Sequence, residues 1–170
     1  ASIGGKLGID FNNIKNQIGF FANPKSVIIN PAFLATLSKK ELESGFSEVV
    51  KHALISDINL WEMIKNNDFK ELNFEEIITY SVNLKNKIIL ADPKEKGERK
   101  KLNFGHTFGH AIESYYLNNG NPILHGEAVF IGMILESEIS NLSDLEKKEI
   151  KSYILSNFKL PNKPKKKELL

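Results

Sequence analysis

A chain of 170 residues with 41% hydrophobic content can bury the core of one domain, or of one domain and part of another. Its 23 Lys and Arg stand against 21 Asp and Glu, a net charge of +2, and they are mixed along helical faces, which excludes a basic nucleic-acid stripe. No apolar run reaches the roughly 18–20 residues of a bilayer span, residues 1–10 lack a basic start with an apolar signal core, and the absence of cysteine excludes a structural zinc finger, so a cytoplasmic protein is expected.

Residues 3–10, IGGKLGID, set Gly4, Gly5 and Gly8 around Lys6, so that backbone amides can approach an anion while the lysine supplies charge. The spacing is not that of a phosphate-binding P-loop. Lys15 and Asn16 follow nine residues later and could grip the same or a neighbouring phosphate, although a plain surface loop is an equal reading. Residues 26–30, SVIIN, hold three β-branched apolar residues between Pro24 and Pro31 and predict one short buried strand. Such a strand needs partners, which points to a sheet-bearing part elsewhere.

Ser38 and Glu41 have capping-box spacing and predict a helix to about Ser56. On it Glu48, Lys51 and His52 stand at i, i+3 and i+4. Glu48 and Lys51 could form a surface pair worth under about 1 kcal/mol. Yet Glu48 lies among Phe46, Val49 and Val50, where a charge is costly unless it meets a cation. His52 reads as structural. Residues 60–66 predict a short helix with Trp61 as a core or interface anchor, and Asn73 with Glu76 opens a long helix that Asp92-Pro93 ends. Lys85 lies inside it. The charged loop at 93–103 carries Glu95 and Arg99, a guanidinium suited to bidentate grip of a carboxylate or phosphate, and Asn103 is expected to cap the next helix.

His106 and His110, four apart, share a helical face, and the turn residues 119–122 let His125 return to them. Three nitrogen or oxygen ligands with one position open suit a catalytic zinc, but the spacing alone fits ordinary half-buried histidines as well. The helix after His125 reads as core, and Ser143 with Glu146 caps a last one to about Asn157. About six helices and one strand make the chain mainly α. Both ends read as those of a fragment of a longer enzyme.

In order, IGGKLGID, IKNQIGFFANP, LESGFSEVVKHALI, GERKKLNFGHTFGHAIE and LHGEAV resemble 3-dehydroquinate synthase, over roughly residues 1 to 160. The resemblance implies that residues 1–170 form that family's multi-helical carboxyl-terminal domain, with one or two short strands, without the amino-terminal NAD-binding domain. It implies conversion of 3-deoxy-D-arabino-heptulosonate 7-phosphate to 3-dehydroquinate and phosphate in the shikimate pathway, with NAD transiently reduced. Zinc, or another divalent metal, would be held by Glu48, His106 and His125. His110 and Glu95 would move protons, with Lys51 beside the metal-bound hydroxyls. Lys6, Asn16 and Asn103 would surround the phosphate, and Lys85 and Arg99 the substrate carboxylate. Lys6, Lys15, Phe33, Leu34, Ala35 and Thr36 would touch NAD. The full-length enzyme would be a homodimer, and the fragment alone inactive. The rival readings are a sugar-phosphate cyclase whose substrate lacks the carboxylate, a metal-dependent polyol dehydrogenase, and a non-catalytic helical module.

Overall fold

The computed structural model describes residues 3–11 and 14–165, with the backbone alone at residues 10 and 14–16. It is mainly α, as expected. Two strands, β1 (Lys6–Phe11) and β2 (Ile14–Phe21), form an antiparallel hairpin in which Lys6 faces Phe21 and Gly8 faces Gly19. Among the described residues six helices follow: α1 (Lys39–Ser56), α2 (Ile58–Lys65), α3 (Phe74–Ala91), α4 (His106–Asn118), α5 (His125–Glu138) and α6 (Asp144–Asn157). Short 3-10 turns occupy Pro31–Thr36 and Glu98–Asn103. No described helix is long and apolar enough to cross a membrane.

The strand expected at residues 26–30 is not formed. That segment is extended but unpaired, and Ile28 is 92% exposed. The strands instead occupy the glycine-rich stretch and its continuation, for which the sequence suggested an anion-binding segment or a plain surface loop. β-propensity expresses itself only where a second extended segment lies alongside. β1 and β2 are adjacent in sequence and supply each other's ladder, whereas SVIIN meets no such partner among the described residues.

Local signals placed the helix starts well. Ser38, Asn73 and Ser143 each accept a hydrogen bond from the backbone N–H three residues on, and at Ser143 the Glu146 carboxylate returns it. Asp57 opens α2 by accepting from Asn59 and Leu60, two residues ahead of the expected start. Asn103 does not cap α4. It ends the preceding 3-10 turn and donates to Glu95, while α4 starts after Gly105, whose φ of 79° suits glycine.

α5 is buried nearly all round and forms the axis of the molecule. A methyl group at Gly126 would overlap the Ser44 backbone of α1, and one at Gly132 would overlap the Gly105 carbonyl at the start of α4. These glycines let both neighbours lie hard against α5. Phe46, Val50, Leu60, Ile64, Phe130 and Ile154 fill the main core, with Phe130 stacked on Phe158 at 4.3 Å. Trp61 is buried, meets Tyr153 edge-on at 5.0 Å and donates to Glu149, the core anchor expected of it. His52 is likewise structural: buried, with Nδ1 2.6 Å from the Ser81 hydroxyl.

The hairpin joins this body at its base. Arg99 donates to the Gly4 carbonyl and lies over Phe21 at 5.6 Å, and Gly4 has no room for a side chain against Ile89. Beyond the base, Ile9, Phe11, Ile18 and Phe20 are exposed.

Candidate active site

Glu48 comes from the middle of α1, His106 is the first residue of α4, and His125 is the first residue of α5. The close packing of α1 and α4 on α5 brings these three elements to one point. Glu48 Oε1 lies 3.3 Å from His106 Nε2 and 3.9 Å from His125 Nε2, and one ligand atom from each residue falls within 4.8 Å of the others.

The surroundings decide what these atoms offer. His106 Nδ1 is 3.2 Å from the Phe104 carbonyl and His125 Nδ1 is 3.0 Å from the Glu113 carboxylate. Both partners only accept, so an imidazole with its proton on Nδ1 would satisfy either of them and leave Nε2 on the side of Glu48. Glu48 Oε1 is itself buried and, among the described residues, has no hydrogen bond beyond its contacts to the two imidazoles. The carboxylate and the two imidazole nitrogens thus converge on one point, where a divalent cation would satisfy all three. The residues present fit a metal with an open coordination position.

The other oxygen of Glu48, Oε2, accepts from Lys51 at 2.7 Å, and the Lys51 side chain is only 4% exposed. This is no surface ion pair. Burial alone would raise the Glu48 carboxyl, but the His106 contact and the Lys51 ammonium outweigh it and hold the group well below the usual carboxylate range. Lys51 is pushed down by burial, an effect that Glu48 opposes and Lys85 reinforces.

A cleft of about 640 Å³ opens from this point toward the hairpin. Lys6, Lys51, Lys85 and Arg99 all line it, together with Asn103 and the three histidines, so the space favours an anion. Glu95 reaches into it from a residue with φ of 57°, a strained conformation for a non-glycine side chain. Its carboxylate pairs with Lys6 and accepts from Asn103 at 2.9 Å. Burial raises the Glu95 carboxyl while Lys6 and Asn103 lower it, with a net shift downward. Arg99 is 4% exposed, and two of its five N–H donors already serve the Pro93 and Gly4 carbonyls.

The fold therefore gathers ten expected residues at one cleft: Lys6, Glu48, Lys51, Lys85, Glu95, Arg99, Asn103, His106, His110 and His125. His110 lies 5.3 Å from His106 and 5.9 Å from His125 between ring centres, beside the Glu48 set. Phe33, Leu34, Ala35 and Thr36 form a 3-10 turn that does not line the cleft, with Phe33 74% exposed. The side chains of Lys15 and Asn16 lie outside the described residues.

Three carboxylates escaped the reading of the sequence. Asp92, taken only as a helix stop, accepts from the backbone of Lys96, Gly97 and Arg99 and shapes the loop that carries Glu95. Glu136 accepts from Gly105, Thr107 and Phe108 and so caps α4 from α5. Glu113 holds His125. Its signal was available, since positions 106, 110 and 113 share one helical face; Glu136 lies on a helix that the sequence presented only as core.

Two family models match the chain: 3-dehydroquinate synthase C-terminal over residues 45–169 and 3-dehydroquinate synthase N-terminal over residues 1–44. Their junction falls within α1. A 3-dehydroquinate synthase of Parabacteroides distasonis is 42% identical over 144 residues, covering 83% of this chain and 41% of that protein. One from Streptococcus mutans is 44% identical over 149 residues, covering 85% and 41%. The chain thus spans about two fifths of the length of these curated relatives. Among solved structures, a 2-epi-5-epi-valiolone synthase from Streptomyces hygroscopicus, with NAD+ and Zn2+ bound, has a TM-score of 0.84 at 25% identity over 99% of this chain and 49% of that one. A 2-deoxy-scyllo-inosose synthase complexed with carbaglucose-6-phosphate, NAD+ and Co2+ shares the fold, with a TM-score of 0.76 at 24% identity over 97% of this chain and 47% of that one.

Proposed function

The chain belongs to the 3-dehydroquinate synthase family, and from that membership we propose that residues 1–170 are the metal- and substrate-binding part of a cytoplasmic 3-dehydroquinate synthase of the shikimate pathway. The complete enzyme would convert 3-deoxy-D-arabino-heptulosonate 7-phosphate to 3-dehydroquinate and inorganic phosphate. The observation that carries this reading is the convergence of Glu48, His106 and His125 at the end of a cleft lined by four cations. A substrate with both a phosphate and a carboxylate matches that charge.

When bound, zinc supplies a Lewis acid for the substrate hydroxyls and NAD a hydride acceptor that is regenerated within the cycle. Glu48, His106 and His125 are the ligands. Lys51, buried against Glu48, lowers the cost of negative charge on a neighbouring substrate oxygen. His110, beside the ligands on α4, would accept the substrate proton whose loss accompanies departure of the phosphate. Glu95 orders Lys6 and Asn103, and it assists proton movement from the opposite side of the cleft. Lys6, Asn16 and Asn103 are assigned to the phosphate, and Lys85 and Arg99 to the carboxylate. Lys6, Lys15, Phe33, Leu34, Ala35 and Thr36 are assigned to the NAD side, completed by an amino-terminal portion of the enzyme in a homodimer.

One observation favours a second reading, a cyclase whose substrate has no carboxylate: Arg99 spends two donors on backbone carbonyls. The names of the curated relatives at 42–44% identity favour the first. Phosphate release decides, measured with NAD+ and Zn2+ for this chain alone and mixed with the amino-terminal portion of a family member. We expect none alone and release from 3-deoxy-D-arabino-heptulosonate 7-phosphate in the mixture. Turnover by the chain alone overturns the incomplete site, and turnover only of a sugar phosphate without a carboxylate overturns the substrate.

A further inference from the structure

α4 and α5 run antiparallel, since Gly105 lies beside Met133, Gly109 beside Val129 and Glu113 beside His125. Each helix offers a carboxylate to the start of the other. Glu136 of α5 accepts three backbone N–H groups around the start of α4, and Glu113 of α4 accepts from the side chain of His125 at the start of α5. Each of those starts carries one of the two histidine ligands. The two histidines nevertheless differ in what faces their Nδ1 atoms. His106 Nδ1 faces the Phe104 backbone carbonyl, which no substitution removes, and His125 Nδ1 faces a side-chain carboxylate.

We propose that Glu113 is a positioning residue of the metal centre: its carboxylate keeps the His125 proton on Nδ1 and aims the Nε2 lone pair at the point faced by Glu48 and His106. The inference rests on the metal reading above. Without an acceptor at Nδ1 the proton is free to move to Nε2, where it closes the lone pair to a metal. The carboxylate also makes Nε2 a stronger donor than a backbone carbonyl would. His110, Glu113 and His125 form a second set of groups close enough to hold an ion. In that alternative arrangement Glu113 would be a ligand, and metal stoichiometry separates the two.

The test begins with nitrogen–proton NMR of the histidine rings in the metal-free chain, where the tautomer is read directly. His125 is expected as the Nδ1–H form in the native chain and in Glu113→Gln, whose amide oxygen still accepts, and to move toward Nε2–H in Glu113→Leu. A native His125 that is already Nε2–H, or an unchanged tautomer in Glu113→Leu, overturns the proposal. Co2+ and Zn2+ titration then reads affinity and stoichiometry, with circular dichroism to verify folding. Where the native chain binds one ion, Glu113→Leu is expected to weaken binding about 10–100-fold and Glu113→Gln less. Two ions per native chain, one of them lost with Glu113, overturns the positioning role. No ion bound despite the Nδ1–H tautomer overturns the metal reading for this chain and leaves the tautomer result standing.

Discussion

The two walls of the cleft are built on opposite terms. The helical wall draws Glu48, His106 and His125 from three helices held together by glycine contacts and a buried core. The hairpin wall carries Lys6 on two strands whose other apolar residues, Ile9 at 68% and Phe20 at 66% exposure among them, contact little of the body. A two-stranded ribbon without a covered face is marginal by itself. The candidate metal site therefore rests on the well-packed helical part of this chain, whereas Lys6, one of the expected phosphate contacts, rests on the thinly packed hairpin.

Substitutions that force the helical wall apart should have the largest effect. In Gly132→Ala the new methyl meets the backbone of Gly105 and Gly109, neither of which can yield without moving α4. A loss of more than about 3 kcal/mol is expected, above the usual cost of overpacking, with metal affinity falling too. Urea unfolding and metal titration read both, and a native-like midpoint would break the comparison.

Next comes acid sensitivity at His52. Burial, followed by the charge of Lys51 and with Lys85 adding to it, lowers the imidazole from 6.5 to about 4, while Glu48 opposes; Ser81 holds Nδ1. The unfolded chain gains a proton here below pH 6.5 that the native chain refuses until about pH 4. Stability from this group is therefore complete above pH 6.5 and declines as pH falls through that window, by on the order of 3 kcal/mol in total. Unfolding free energies at pH 7, 5.5 and 4 (chosen at about those values to bracket the change) should slope less in His52→Gln. An equal slope in that variant would assign the effect to other groups.

Glu48→Gln should cost about 2 kcal/mol, because Lys51 loses its charged partner but can shed its proton, already made easier by burial. Its larger consequence is on metal binding, expected to vanish in calorimetry. Retention of native affinity would remove Glu48 from the ligand set. At the small end, Ile28→Ser and Phe20→Ser replace exposed side chains and should change the stability of this chain by no more than about 0.5 kcal/mol. A clear loss in either would show that the hairpin side contributes more than its exposure indicates.

The residues that act through neighbours in sequence were legible without coordinates. Ser38, Asn73 and Ser143 cap their helices over three residues, and the i, i+4 spacing alone put His106 and His110 on one face. Glu48 was marked as needing a cation because it sat among apolar neighbours, and the structure supplies Lys51 and two imidazoles facing it. The errors lie where the partner is remote or wanting. SVIIN has the composition of a strand but no strand beside it among the described residues, the glycine-rich segment pairs because its partner is the next stretch of chain, and Asn103 yields the capping of α4 to Glu136, 31 residues beyond Gly105. Sequence by itself determined the number and approximate extent of the helices, the caps at Ser38, Asn73 and Ser143, and the need of Glu48 for a cation, since each follows from contacts within a turn or from the cost of a charge among apolar residues. Only the tertiary structure decided which carboxylate serves which histidine and how close α1 and α4 come to α5, because those depend on the packing of distant glycines and on acceptors that no local spacing reveals.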